Sequence, residues 1–150
     1  MRVHIGTDHA AFELKEFLVD KLTEAGYDVV DHGANTYQEL DDYPDYCIPA
    51  AEGAVADFAN GGLGIVLGGS GNGEQMAANK VAGCRAALCW APELARLARE
   101  HNNAVVCSLP GRFVTEDQAW EIVKTFLETP FSAGERHARR IHKMTDYENG

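Results

Sequence analysis

Short apolar runs alternate along this chain with stretches in which apolar residues recur every three or four positions. Residues 2–7, 28–31, 63–67, 85–89 and 104–108 read as strands. Between them Leu14, Leu18, Leu22 and Ala25 keep helical spacing, as do Leu94, Leu97 and Ala98, and later Ala119, Trp120, Val123, Phe126 and Leu127. Strict alternation of strand and helix predicts parallel pairing through right-handed crossovers. The expected architecture is a three-layer α/β/α sandwich around a five-stranded parallel sheet, Rossmann-like or flavodoxin-like. Residues 135–144 add a charged helix that extends from the domain at the C-terminal end. With no internal repeat, low-complexity tract or linker, residues 1–150 are expected to form one domain.

Ligands of such sheets gather at the carboxyl ends of the strands, and the most informative segment falls there. The run Leu63-Gly64-Ile65-Val66-Leu67 enters Gly68-Gly69-Ser70-Gly71-Asn72-Gly73 and then a helix-compatible stretch starting near Glu74. Glycines let the backbone approach a ligand, and the free N–H groups of the loop and first helical turn point at negative charge. Glu74 sets a carboxylate beside that anion hole. A carboxylate next to donors for a developing oxyanion can remove a proton alpha to a carbonyl while the enolate is held. The plainer reading is a tight turn in which Glu74 sits favourably at a helix start. Neither the P-loop nor the dinucleotide fingerprint fits the spacing, which demotes ATP and NAD.

Composition narrows the partners. The chain is 45% hydrophobic and 24% charged, ordinary for a globular core, and its formal charge of -10 argues against nucleic acid or an anionic membrane surface. Against that background Arg136, Arg139, Arg140 and Lys143 crowd one segment, which suggests a small anion. Cys47, Cys84, Cys89 and Cys107 show no C-x-x-C spacing, so neither a zinc knuckle nor a thioredoxin-type motif is supported. Small buried thiols are the simpler role. An apolar strand begins at the first residues without a charged leader, and no run has membrane-spanning length, so a cytoplasmic protein with reduced thiols is expected.

Several residues carry two readings each. Asp8 stands where a strand gives way to a helix, a preferred N-cap position. The adjacent His9 could donate to a phosphate or relay a proton. His101 ends a helical stretch, where a cation is favourable in any case. The acidic segment 37–45 reads as a surface loop with solvated charges leading into a helix, although Tyr43 could face the pocket. Arg136 and Arg140, four apart, share a helix face and could grip a phosphate dianion. Arg139 and Lys143, at the same spacing, are read as solvated.

Taken together, Gly6-Thr7-Asp8-His9-Ala10, Asp42-Tyr43-Pro44-Asp45, the glycine loop through Glu74, Ala77-Ala78-Asn79-Lys80, Arg99-Glu100-His101-Asn102-Asn103 and Gly111-Arg112 resemble the RpiB/LacAB sugar-phosphate isomerases of the ribose-5-phosphate isomerase B type over nearly the whole chain. That family is divided by its catalytic base. One branch has cysteine where this chain has Gly68, the other a glutamate at the position of Glu74, and this chain is similar to the glutamate branch.

The resemblance implies interconversion of ribose 5-phosphate and ribulose 5-phosphate through an enediolate, without metal or organic cofactor. Glu74 would be the base, with His101 and Asp8 opening the sugar ring. Ser70 and the backbone of Gly69, Gly71, Asn72 and Gly73 would hold the enediolate, and His9, Arg112, Arg136 and Arg140 the phosphate. It also implies a homodimer, or a higher oligomer built from it, with shared active sites, in which His101, Asn102 and Arg112 reach a pocket built mainly by the partner. Two alternatives accompany this expectation: a hexose 6-phosphate such as allose or galactose 6-phosphate as substrate, or a non-catalytic sugar-phosphate-binding module.

Overall fold

A strand buried on both faces favours an unbroken apolar run, as β3 (Leu63–Gly68) is, and beside it at the centre of a parallel sheet β1 (Arg2–Thr7) is buried from Val3 onward with His4 and Thr7 hydrogen-bonded. The computed structural model describes all residues, Met1–Gly150. β2 (Asp28–Asp31), β4 (Ala86–Leu88) and β5 (Val106–Pro110) complete a five-stranded sheet in the order β2-β1-β3-β5-β4. The last two strands are exchanged relative to the flavodoxin order. All four pairings are parallel.

The helices start and stop on local signals. Asp8 caps the turn His9–Ala11 that opens α1 (Phe12–Glu24), accepting the Ala10 N–H at 3.0 Å. Pro44 and Pro92 stand first in α2 (Pro44–Asp57) and α4 (Pro92–Asn102), where the missing N–H costs nothing. Thr115 and Gln118 form a reciprocal capping box at the head of α5 (Glu116–Glu128). α3 (Asn72–Asn79) leaves the glycine loop, and α6 (Glu135–Asn149) closes the chain.

Two expected strand bounds move. β4 keeps only the middle of residues 85–89. β5 begins at Val106 rather than at residue 104, because the buried Ala104 donates back to the Ala98 carbonyl at 3.0 Å and closes the end of α4. Apolar character there reflects burial beneath a helix cap.

The two faces of the sheet are unequal. α1, α4 and α5 cover one with a core of 20 buried residues, including Leu18, Leu22, Ile122 and Phe126. α2 and α3 cover the other with ten, mostly alanine, cysteine and valine. Small residues bring α2 close: a Cβ added at Gly64 would stand 2.9 Å from the Ala54 Cβ, and one at Gly6 would stand 2.6 Å from the Tyr46 carbonyl oxygen. All four cysteines are free and buried; burial pushes the Cys84 thiol up to about 12 and Cys47 higher still. No helix is long and apolar enough to cross a membrane.

From β1 the chain goes outward to β2 and then returns to β3 on the other side of β1. The connections leaving β1 and β3 therefore diverge at their carboxyl ends and open a crevice there. A buried lysine supports the next strand: the Lys15 Nζ, with no exposure, donates to both carboxylate oxygens of Asp31 and to the Ala34 carbonyl at 2.7–2.9 Å. Asp31→Ala, which leaves that ammonium only the half-exposed Glu16 carboxylate at 3.1 Å, should lower stability by about 3 kcal/mol in urea unfolding. Lys15→Met, which removes the charge and keeps the volume, should be much milder.

Candidate active site

At the carboxyl end of β3 the chain turns through Gly69–Ser70 into Gly71, whose φ of +80° favours glycine, and then into α3. The Ser108 hydroxyl donates to the Gly71 carbonyl at 2.8 Å, and the Asn72 N–H donates to the Ser70 hydroxyl at 3.2 Å, so the loop is held from β5 and from within. Glu74, in the first turn of α3, folds back over Gly68. Any Cβ at position 68 would overlap the Glu74 carboxylate. Only 5% exposed, Glu74 has its proton affinity raised first by burial and further by the charge of Asp8, while its own backbone N–H pulls the other way. Desolvation outweighs the helix start before any substrate arrives.

Around this carboxylate stand groups from four other segments. Asp8 is buried and caps a turn, as its position at a strand end predicts, and its negative charge acts on Glu74. The buried Cys47 thiol lies within the field of Glu74 and Asp8, which add to burial in keeping it protonated, so it is no nucleophile. Tyr43, preceding α2, lays its hydroxyl against Gly73, as its expected orientation toward the pocket requires. Arg112 donates its backbone N–H to the Gly69 carbonyl at 3.0 Å, and its guanidinium would lie 3.2 Å from a side chain at 69. Its charge reaches His9, whose proton affinity it lowers. A cleft of about 480 Å³ opens on the outer side of His9, between Phe12, Tyr37, Val114 and Glu116.

His9 has a partner that the sequence did not reveal. Asp41 Oδ1 accepts both the His9 backbone N–H at 2.9 Å and the ring Nδ1–H at 2.8 Å. The Asp41 side chain is only 6% exposed, so the expectation of a fully solvated acidic loop fails here. The loop folds back over the start of α1 and buries one of its acids. In a run of acidic and turn-forming residues nothing marks which carboxylate that is. Asp8, His9 and Asp41 are also the one set of ligand-type side chains close enough together for an ion. Yet Nδ1 donates to Oδ1 rather than offering it a lone pair, which is the geometry of a histidine oriented by a carboxylate.

The remaining expected residues lie at the other edge of the sheet. α4 runs back from the end of β4, so His101 and Asn102 fall at the amino-terminal edge, where Arg85 holds the Asn102 and Asn103 carbonyls. α6, which buries no residue, crosses that edge. Its His137 ring stacks on His101 at 4.2 Å, the Ser132 N–H before it bonds the Glu100 carbonyl, and the Gly83 N–H donates to Glu148 near its end. Arg136 and Arg140 are exposed beside this stack, where both disfavour protonation of His137, and neither has an ion-pair partner; Arg139 pairs with Glu135, as a solvated charge should.

Within one chain the grouping differs from the division that the resemblance implies. Arg112 lies with Glu74 and His9 in one chain, while Arg136 and Arg140 lie with His101 and Asn102. The spacing i, i+4 identified a shared helix face but carried no information about which edge of the sheet the helix crosses.

A double-wound sheet with a glycine loop, a buried carboxylate and two clusters of cations has known counterparts. The family model described as Ribose/Galactose Isomerase matches residues 3–144, and the chain belongs to that family. Ribose-5-phosphate isomerase B of Mycobacterium tuberculosis is 52% identical over 148 residues, 99% of this chain and 90% of that protein. The structure of ribose-5-phosphate isomerase B from Mycoplasma genitalium with bound ribulose-5-phosphate superposes with a TM-score of 0.93 at 41% identity, over 99% of this chain and 96% of the other. That of Thermotoga maritima gives 0.89 at 47% identity, over 97% of each.

Gly68→Ala tests the seating of Glu74. The added methyl must displace the carboxylate, and a misplacement of about 1 Å can cost a hundredfold in rate. Isomerase turnover should fall by about that factor while Tm changes by only a few degrees.

Proposed function

We propose that this chain interconverts ribose 5-phosphate and ribulose 5-phosphate, with Glu74 as the base. The observation that carries this reading is the seat of Glu74: a buried carboxylate of raised proton affinity, pressed against Gly68 at the mouth of a loop rich in N–H donors. In the open-chain aldose it takes the proton from C2, electrons move onto the carbonyl oxygen, and the enediolate is held by the Ser70 hydroxyl and the amides of Gly69 to Gly73. The C2 hydroxyl proton passes to the oxyanion at C1, and returning the proton from Glu74 to C1 then leaves the carbonyl at C2 and gives the ketose. Each such donor is worth about 3 kcal/mol of barrier. His101 with Asp8 opens the furanose by moving a proton from the anomeric hydroxyl to the ring oxygen.

A single chain cannot assemble these parts, because Glu74 and His101 stand at opposite edges of its sheet. We assign the complete site to a homodimer. The carboxyl edge of one protomer supplies Glu74, Asp8, His9, Ser70, Tyr43 and Arg112, and the amino edge of its partner supplies His101, Asn102, Arg136 and Arg140. His9 and Arg112 would then meet the phosphate from one side and Arg136 and Arg140 from the other. Two-fold symmetry makes two such sites. A phosphorylated sugar as substrate and four reduced, buried thiols suit the cytoplasm.

Glu74→Gln keeps shape and loses the base, so turnover should fall by at least about a hundredfold while inorganic phosphate binds within about tenfold of wild type. The same change should raise Tm at pH 8. A folded-state pKa raised by burial stabilises the protein below the unfolded value, and that contribution is lost as pH rises through the folded one, where glutamine carries no charge to bury. At pH 4 the two proteins should differ little. In the wild type, the acid limb of kcat, read from a pH–rate profile, should lie above the ordinary glutamate range.

Subunit mixing tests the division of the site. Equal mixing of Glu74→Gln with His101→Ala, or with Arg136→Ala, should restore about a quarter of wild-type activity, since half the dimers are mixed and each has one intact site of two. Mixing Glu74→Gln with Arg112→Ala should restore none, because both lesions lie on the same edge. Recovery in that last pair, once exchange is demonstrated, would return Arg112 to the partner's share.

A further inference from the structure

The fit of Asp41 against His9 goes beyond holding a loop. One carboxylate oxygen takes two donors from one residue, the backbone N–H and the ring Nδ1–H, fixing both where the imidazole begins and which way it turns. With Nδ1 committed, Nε2 is the nitrogen left for a ligand. The other oxygen, Oδ2, is buried without a hydrogen-bond partner, so no cation elsewhere neutralises this charge and its field falls on His9. Tyr37 meets the His9 ring edge-on at 6.3 Å and adds no charge at neutral pH.

We propose that Asp41 is a positioning residue for the phosphate: it orients His9 and keeps its imidazole cationic beside Arg112, so that the phosphate dianion meets two positive groups on this edge of the site. This rests on the reading of the site given above and names the group that sets its pH dependence. The charges facing His9 are Asp41 and Asp8 from the two flanking loops and Arg112 from the turn after β5. The hydrogen bond that the His9 ring donates to Asp41 is the largest influence and raises the proton affinity of His9; burial and Arg112 oppose it. The phenol of Tyr46 is held protonated by burial first and then by the neighbouring Asp41. A cationic His9 favours phosphate at low pH, and the advantage fades as pH rises through its pKa. Removing the Asp41 charge moves that loss to lower pH.

Asp41→Asn keeps the shape and an acceptor oxygen while removing the charge. Histidine resonances of the ligand-free protein, followed by NMR from pH 5 to 9, should show the His9 pKa falling by about one unit or more, the usual effect of losing a close opposite charge. Glu39→Gln, an exposed carboxylate of the same loop, should leave it in place. Inhibition by inorganic phosphate and KM for ribose 5-phosphate should both weaken several-fold at pH 8 and recover toward pH 6, with kcat changed less than about twofold.

An unchanged His9 titration in Asp41→Asn overturns the proposal. So does a shifted titration with unaltered phosphate affinity. If the variant is markedly less stable, the background settles the matter. Once His9 is replaced by asparagine, Asp41→Asn should weaken phosphate no further, whereas an equal loss in both backgrounds means that Asp41 acts through the fold and the proposal fails. Should the wild type fail to turn over ribose 5-phosphate, the functional reading falls, while the NMR and phosphate measurements still decide the role of Asp41.

Discussion

A carboxylate kept out of water at the end of β3 sets the terms for the rest of this molecule. Glu74 can occupy that place only because position 68 carries no side chain, and position 68 lies there because β3 runs one residue further than its apolar core. Burial makes the carboxylate a stronger base, but it also makes it an unfavourable group to fold around. The surroundings reflect both facts. The loop amides and the start of α3 offer a dipole that offsets part of the desolvation, and the neighbouring thiol of Cys47 stays protonated rather than competing as a second base. Because β1 and β3 are adjacent, Asp8 and His9 arrive beside this carboxylate without any long-range loop.

The cations follow a different logic. An acidic chain has few to spare, and most of the candidates for anion binding are placed at two edges that never meet within one protomer. His9 and Arg112 belong to the connections that leave β1 and β5. Arg136 and Arg140 ride on a helix that buries nothing of its own and is held mainly at its ends, by the His137–His101 stack and by Glu148 on the Gly83 amide. A helix of that kind contributes little to the core of its own chain. Its residues make chemical sense once a second copy is placed against them.

Much of this could be read from the chain itself, and the reasons differ by element. β1 and β2 fall where expected because a short apolar run bounded by turn residues has few other interpretations. Glu74 was readable because the chemistry of a strand, a glycine loop and a helix start is local. β5 was displaced because Ala104 is apolar for the sake of a helix end, which a period-two pattern does not distinguish from a strand. The placing of the α6 arginines was not readable, because spacing along a helix reports a face, whereas the edge of the sheet a helix crosses depends on where α5 ends. Asp41 was hidden altogether: its loop reads as solvated, and only the return of that loop over His9 singles it out.

The thin layer under α2 has a consequence for how this site can change over generations. Tyr46, Ala50 and Ala54 meet Gly6 and Gly64 at nearly the closest approach that a helix and a sheet allow, and the same helix carries Tyr43 at its head. A side chain added at Gly6 or Gly64 meets α2 at once, so enlarging that layer must shift the helix that carries Tyr43 against Gly73. The opposite face, filled by leucine, isoleucine and phenylalanine, can trade volume between neighbours and keep its density. Neutral drift in volume therefore has more room beneath α1, α4 and α5, whereas growth in the alanine layer is transmitted through α2 to the wall of the site.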